Sequence, residues 1–337
     1  MKRDSFRKLF PLVSFLIGLF SLPPTIYSQT KVIWQKTDAD PYTHVTFSHD
    51  GTIIALGRED SNTTDLLNAS NGSVIRQLTT SHNAANVVRF TNDDRYLLSG
   101  VGHGGAVRTL ALWDLASGIR AKLLGDHTNG TDSLSLSPDG QYAATSGDFD
   151  REINVWHVPD LTLLATFFNT DPVTGVTSRV KDVAFSTDGQ RIASADINGV
   201  RVRNAFSGGI IFEIPNAEVT SIAYSPDGLY LAGAVPSEHA VKLWNAVDGT
   251  LIRTLNVTTT FDFPTIAFSP NGRSIVAGYN TGSDAGALLF WSVSNGRVLS
   301  FENTSGAVIS VAFAPTGSTF AYTQFDGRIV KAMAPPI

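Results

Sequence analysis

VTSIAYSPDGLYLAGAVPSEHAVKLWNAVDGTLIRTL, residues 219–255, decides the fold. Val219, Ile222 and Tyr224 open it, and the last two alternate with the period of two that one face of a strand shows. Ser225-Pro226-Asp227-Gly228 then reads as a turn. Proline presets φ, aspartate bonds its own backbone, and glycine tolerates positive φ. A second apolar run follows at 229–234, and a third strand ends at Trp244-Asn245. A tight turn at 247–249 leads into a fourth strand over 250–255. Four strands joined this way make one antiparallel sheet.

The same unit recurs along the chain. Its apolar triplet stands at Tyr42/Val45/Phe47, Ala85/Val88/Phe90, Thr131/Leu134/Leu136, Val180/Val183/Phe185, Val219/Ile222/Tyr224, Phe263/Ile266/Phe268 and Val308/Val311/Phe313. Each copy is followed by its turn: SHDG at 48–51, TNDD at 91–94, SPDG at 137–140, STDG at 186–189, SPDG at 225–228, SPNG at 269–272 and APTG at 314–317. Asp94 replaces the glycine in one copy, and aspartate accepts left-handed geometry better than most residues. A spacing of about 39 to 49 residues with four strands per unit is that of propeller blades. Unrelated β-sandwiches also carry regular short strands, but they do not explain seven copies in one register. The expected fold is all-β: a seven-bladed β-propeller of four-stranded antiparallel blades. The seventh unit ends without a fourth strand, while 31–35 supplies a spare one before the first triplet. The N-terminal strand is therefore expected to complete the last blade and close the ring, removing two open edges.

The aromatic-Ser-Pro-Asp-Gly turns and the tryptophans ending the third strands (Trp113-Asp114, Trp156-His157, Trp244-Asn245, Trp291-Ser292) resemble the WD-repeat family. Only Trp113-Asp114 is the literal dipeptide, and Leu67-Asn68 and Arg203-Asn204 take its place in two units. His82 and Asp126-His127 stand where the family carries its Gly-His motif. The family's buried His–Asp–Ser–Trp network is accordingly expected to be mostly absent. The resemblance implies a rigid platform for protein interaction, usually without catalysis.

The first residues add a compartment. Lys2, Arg3, Arg7 and Lys8 precede an apolar run from Leu9 to Leu22, and a short polar stretch ends at Ser28. That is the layout of a secretory signal peptide, and the run is short for a membrane span. The expected organisation is a signal peptide over 1–28 and a WD40-like propeller over 29–337, secreted or periplasmic, with no stable membrane span after cleavage. Loss of 1–28 would move the net charge from −5 to −8. No basic patch of the kind nucleic-acid binders carry is evident, so no nucleic-acid partner is expected. With no cysteine among 337 residues, disulfides and thiolate chemistry are excluded.

Strand order puts the Ser-Pro-Asp-Gly turns on one face of the ring. The connections between second and third strands, and between blades, fall on the other. Length variation concentrates there, at 58–64, 101–106, 146–151, 169–179, 257–261 and 279–286, and such a face often carries binding. The candidate binding-face residues are Arg58, Glu59, His103, Asp148, Asp150 and Arg151. Asp148, Asp150 and Glu152 form an acidic cluster, but without the ligand spacing of a calcium loop. No catalytic residue, metal ligand or cofactor site is expected, and a protein or peptide is the expected partner. The alternative is a propeller enzyme, a hydrolase or quinoprotein-like oxidoreductase, with a metal or cofactor at the central channel.

Overall fold

A computed structural model describes residues 30–58, 61, 63–79, 85–101, 109–125, 127, 130–147, 151–170, 175–215, 218–257, 262–282 and 285–336. The segment 1–28, expected from its sequence to be a signal peptide, lies outside them.

The strands form seven four-stranded antiparallel sheets, each a blade. The innermost strands, in blade order, are Tyr42–Phe47, Ala85–Phe90, Thr131–Leu136, Asp182–Phe185, Ser221–Tyr224, Asp262–Phe268 and Val308–Phe313. Each packs beside the next, and the seventh returns to the first. Six blades are continuous in sequence. The seventh takes its outermost strand from Val32–Thr37, which pairs antiparallel with Arg328–Met333 through Trp34↔Lys331, Gln35↔Val330, Lys36↔Ile329 and Thr37↔Arg328. The ring thus closes on the N-terminal strand.

The core lies between blades, because each sheet buries both faces against its neighbours. Across the closure, Tyr42, Val45, Phe47, Ile54 and Leu56 of blade 1 pack with Ala314, Ala321 and Ile329 of blade 7. Trp156 and Leu134 of blade 3 pack on Leu98 and Leu110 of blade 2. Each such seam hides apolar surface on two blades at once, so no blade is stable without the next.

The turns carry the chemistry their sequences foretell. In blade 3, Ser137 Oγ donates to Asp139 Oδ1 at 2.5 Å, while Oγ accepts from Tyr142 N at 2.9 Å. Blade 5 repeats both bonds with Ser225, Asp227 and Tyr230. Asp94, at φ 53°, adopts the left-handed geometry that glycine takes elsewhere. Its carboxylate also receives His49 N at 2.8 Å and Asp50 N at 2.9 Å, tying blade 2 to blade 1.

A second set of ties runs along the rim. Arg76 of the blade 1 outer strand donates to Leu115 O of blade 2 at 3.0 Å, and Arg253 of blade 5 to Ser294 O of blade 6 at 2.9 Å. At the closure Trp34 takes that role. Its Nε1 donates to Ala69 O at 3.1 Å, and its ring covers Gly72 so closely that a Cβ there would sit 2.7 Å from it. Gly72 also has φ +74°, so both space and backbone require glycine.

Candidate functional site: the central channel and the variable-loop face

The inner strands surround a cavity of about 550 Å³ along the ring axis. Two tiers of alternate inner-strand positions line it. One tier holds His44, Val87, Ser133, Asp182, Ser221 and Ser310, and the next holds Thr46, Arg89, Ser135, Ala184, Ala223, Ala267 and Ala312. Small residues on blades 4 to 7 of the second tier leave room, and the long Arg89 side chain comes from blade 2.

Asp182 is spent on structure. Its Oδ1 accepts from Ser133 Oγ at 2.6 Å and Val183 N at 2.9 Å, and its Oδ2 from Ile222 N at 2.8 Å and Ser221 Oγ at 3.2 Å. One carboxylate therefore joins blades 3, 4 and 5. Burial raises its pKa above the usual carboxylate range, against these donors and the Arg89 charge. Serine hydroxyls do similar work elsewhere, Ser310 Oγ accepting from Val45 N at 3.2 Å and Ser135 Oγ from Phe185 N at 3.0 Å.

Arg89 is different. Its Nη1 donates to Val88 O at 3.0 Å and bonds the His44 ring. Burial, and secondly the Arg89 charge, hold His44 well below the ordinary histidine range, so its imidazole is neutral and accepts. Among the described residues, Nε and Nη2 of Arg89 make no hydrogen bond and no carboxylate lies within 4.0 Å of it.

The six residues singled out from the sequence fare unequally. Glu59, His103, Asp148 and Asp150 lie outside the described residues. Arg151 stands on the variable-loop face at φ 60° and donates from Nη1 to Thr177 O at 2.6 Å, tying the start of the third strand of blade 3 to the segment that precedes blade 4. Arg58 belongs to the wall. Its side chain is 5% exposed and lies 2.5 Å from Asp65 and 2.8 Å from Asp38, with Tyr42 Oη 3.0 Å away and its ring under the guanidinium. It offers a partner almost nothing, because Asp38 from the closing segment and Asp65 from the third strand enclose it. The connection expected at 279–286 is also shorter than its sequence suggests. Ser274–Gly282 and Ala285–Ser292 continue as a hairpin, and Tyr279 is fully buried.

His44, Arg89 and Asp182 were not among the sequence candidates. The signal for them is the alternation itself: each occupies the position one residue away from a core residue of the inner-strand triplet.

The expected loss of the buried tryptophan network is partial. In blade 3, Trp156 Nε1 donates to Thr145 Oγ1 at 2.9 Å, which is bonded in turn to His127 Nε2 at 2.7 Å. Trp113 Nε1 donates to Ser99 Oγ at 3.0 Å in blade 2. In blade 4, Arg203 replaces the tryptophan and donates to Asn169 Oδ1 at 2.6 Å, while Asn169 donates to Asp196 Oδ2 at 3.0 Å.

Fold and channel together define a closed seven-bladed propeller with uniform turns on one face. Comparison with known proteins finds WD-repeat similarity. The model of the WD domain, G-beta repeat, matches residues 119–157 and 210–245, which cover parts of blades 2 to 5. A WD repeat-containing protein of Synechocystis is 27% identical over 43% of this chain and 40% of its own length. The WD repeat-containing protein VIP3 of Arabidopsis thaliana is 29% identical over 50% of this chain and 55% of its own length. The U3 small nucleolar RNA-associated protein 15 homolog of Xenopus tropicalis is 25% identical over 70% of this chain and 44% of its own. The chain thus spans about half the length of the curated relatives it matches. The Cps50 (Swd1) β-propeller domain of Myceliophteria thermophila superposes with a TM-score of 0.77 at 16% identity, over 91% of this chain and all of that one, a likeness of fold alone. The two matched WD repeats and the WD-repeat relatives support a WD-repeat β-propeller family for this chain.

Proposed function

We infer that the chain is an extracytoplasmic interaction platform, binding a protein or peptide partner on its variable-loop face and catalysing nothing. The contrast between the two faces carries this reading. All seven turns from first to second strand span five residues, such as 48–52, 137–141 and 314–318. On the opposite face the connections run from the two residues between Asp196 and Gly199 to the thirteen between Phe168 and Asp182. A scaffold that holds one face constant and varies the other concentrates recognition on the varied face. The basic n-region and apolar run within 1–28 support a location outside the cytoplasm.

Shortening the 169–179 connection tests this. Residues 171–176 are replaced by a two-residue turn, which spares Asn169 and Arg179. Partners captured by the immobilised mature chain are identified by mass spectrometry, and their affinities for both forms are measured. The expected result is at least about a tenfold loss of affinity at an unchanged melting temperature. Equal affinity for the same partners would refute the assignment of this face.

A further inference from the structure

We propose that the central channel binds a small monocarboxylate, its carboxylate on Arg89 and its short apolar body over the alanine tier. The inference is independent of the partner face. Three observations carry it.

First, among the described residues Arg89 faces the channel without an anionic partner, its Nε and Nη2 making no hydrogen bond. Two other buried guanidiniums of the blade walls are answered by carboxylates, Arg58 by Asp38 and Asp65, and Arg201 by Asp196 at 2.6 Å and Glu213 at 2.7 Å, while Arg203 is held by Asn169 Oδ1 at 2.6 Å. A partly enclosed cation costs solvation free energy that an anion in the channel returns. Second, Asp182, the carboxylate nearest in the channel wall, is saturated by four donors from three blades. It cannot turn to Arg89 without abandoning them. Its charge also disfavours a multiply charged ligand, which selects a monocarboxylate over phosphate. Third, Ala184, Ala223, Ala267 and Ala312 furnish four consecutive blades of the same tier. Their methyl groups give the channel an apolar floor in the tier that holds Arg89, with Thr46 and Ser135 at the same level on the two blades next to it. Arginine presents two parallel N–H donors to a planar carboxylate, a match that a lysine ammonium does not reproduce.

The experiment titrates the mature chain with sodium butanoate, with butanamide as neutral isostere and with inorganic phosphate, by isothermal calorimetry and by NMR of the histidine rings. The expected result is saturable butanoate binding in about the millimolar range, with neither butanamide nor phosphate competing. In the unmodified chain, butanoate moves the His44 ring resonances, because His44 is bonded to Arg89, and leaves those of His157 on the turn face unmoved. Arg89→Met weakens binding at least about tenfold, Arg89→Lys restores part of it, and Ala267→Val, which fills the floor and keeps the charge, also weakens it. Circular dichroism reports whether each variant folds, and the His44 readout needs no variant. Absence of saturable butanoate binding, equal binding of butanamide, tighter binding of phosphate, or a His44 signal that ignores butanoate would each overturn the proposal.

Discussion

Removal of residues 30–36 lowers the melting temperature of the propeller by more than about 10 °C and leaves it prone to self-association. Two losses combine. The Val32–Thr37 strand surrenders its ladder to Arg328–Met333, and Trp34 leaves Ala69 and Gly72 of blade 1 uncovered. The exposed strand then presents unpaired backbone groups in the last blade, a template for another chain. Trp34→Ala separates the two contributions. It keeps the ladder and costs about 2 kcal/mol, because the ring is only half-buried. Differential scanning calorimetry with light scattering reads both effects. A truncated chain that melts with the intact one and stays monomeric would show that the strand closes nothing.

Arg58→Met costs about 3–5 kcal/mol of unfolding free energy in urea titrations at neutral pH. Asp65 is fully buried and relies on the guanidinium 2.5 Å away for its counter-charge. Tyr42 Oη at 3.3 Å and Gln77 Nε2 at 2.9 Å remain, but neither carries charge. Arg58→Lys recovers only part of the loss, since one ammonium cannot reach Asp38 and Asp65 as the guanidinium does. The pH dependence has a definite sign. Hydrogen bonding to Arg58 holds the Asp38 carboxyl at about 2 in the folded chain, below its ordinary 3.8. A depressed carboxyl contributes its stability above the unfolded value and loses it as pH falls through the folded one. The stability gap between the native chain and Arg58→Met therefore narrows between pH 3.8 and about 2. A gap that widens there would contradict the ion cluster.

The ring itself was legible from sequence because each blade writes its own turn. A serine that bonds both the turn aspartate and the next strand's N–H leaves a local signature, and seven copies fix the register. The closure was legible for a related reason: a fourth strand was missing at one end and spare at the other. Arg58 was misread because its partners are remote. Asp38 belongs to the segment that closes the ring, so an arginine that looks like a loop cation becomes buried only when blade 7 meets blade 1. Tyr279 misled similarly, since the hairpin beyond it is set by pairing across the strands. The channel residues lay in plain sight as polar positions between core residues. Their convergence needs the cyclic order of blades, which brings His44 to Arg89 and Ser133 to Asp182 across 45 and 49 positions of sequence.

The two ends of the chain share one blade of the ring, and a disulfide tests that directly. The chain has no cysteine, so Thr37→Cys with Arg328→Cys introduces the only thiols. These positions face each other in the closing ladder and are not buried. The prediction is an intramolecular disulfide in the monomer, found by peptide mapping under non-reducing conditions, with a raised melting temperature that falls again on reduction. Two free thiols under oxidising conditions, or cross-links only between chains, would show that the N-terminal strand does not lie where the closed propeller requires it.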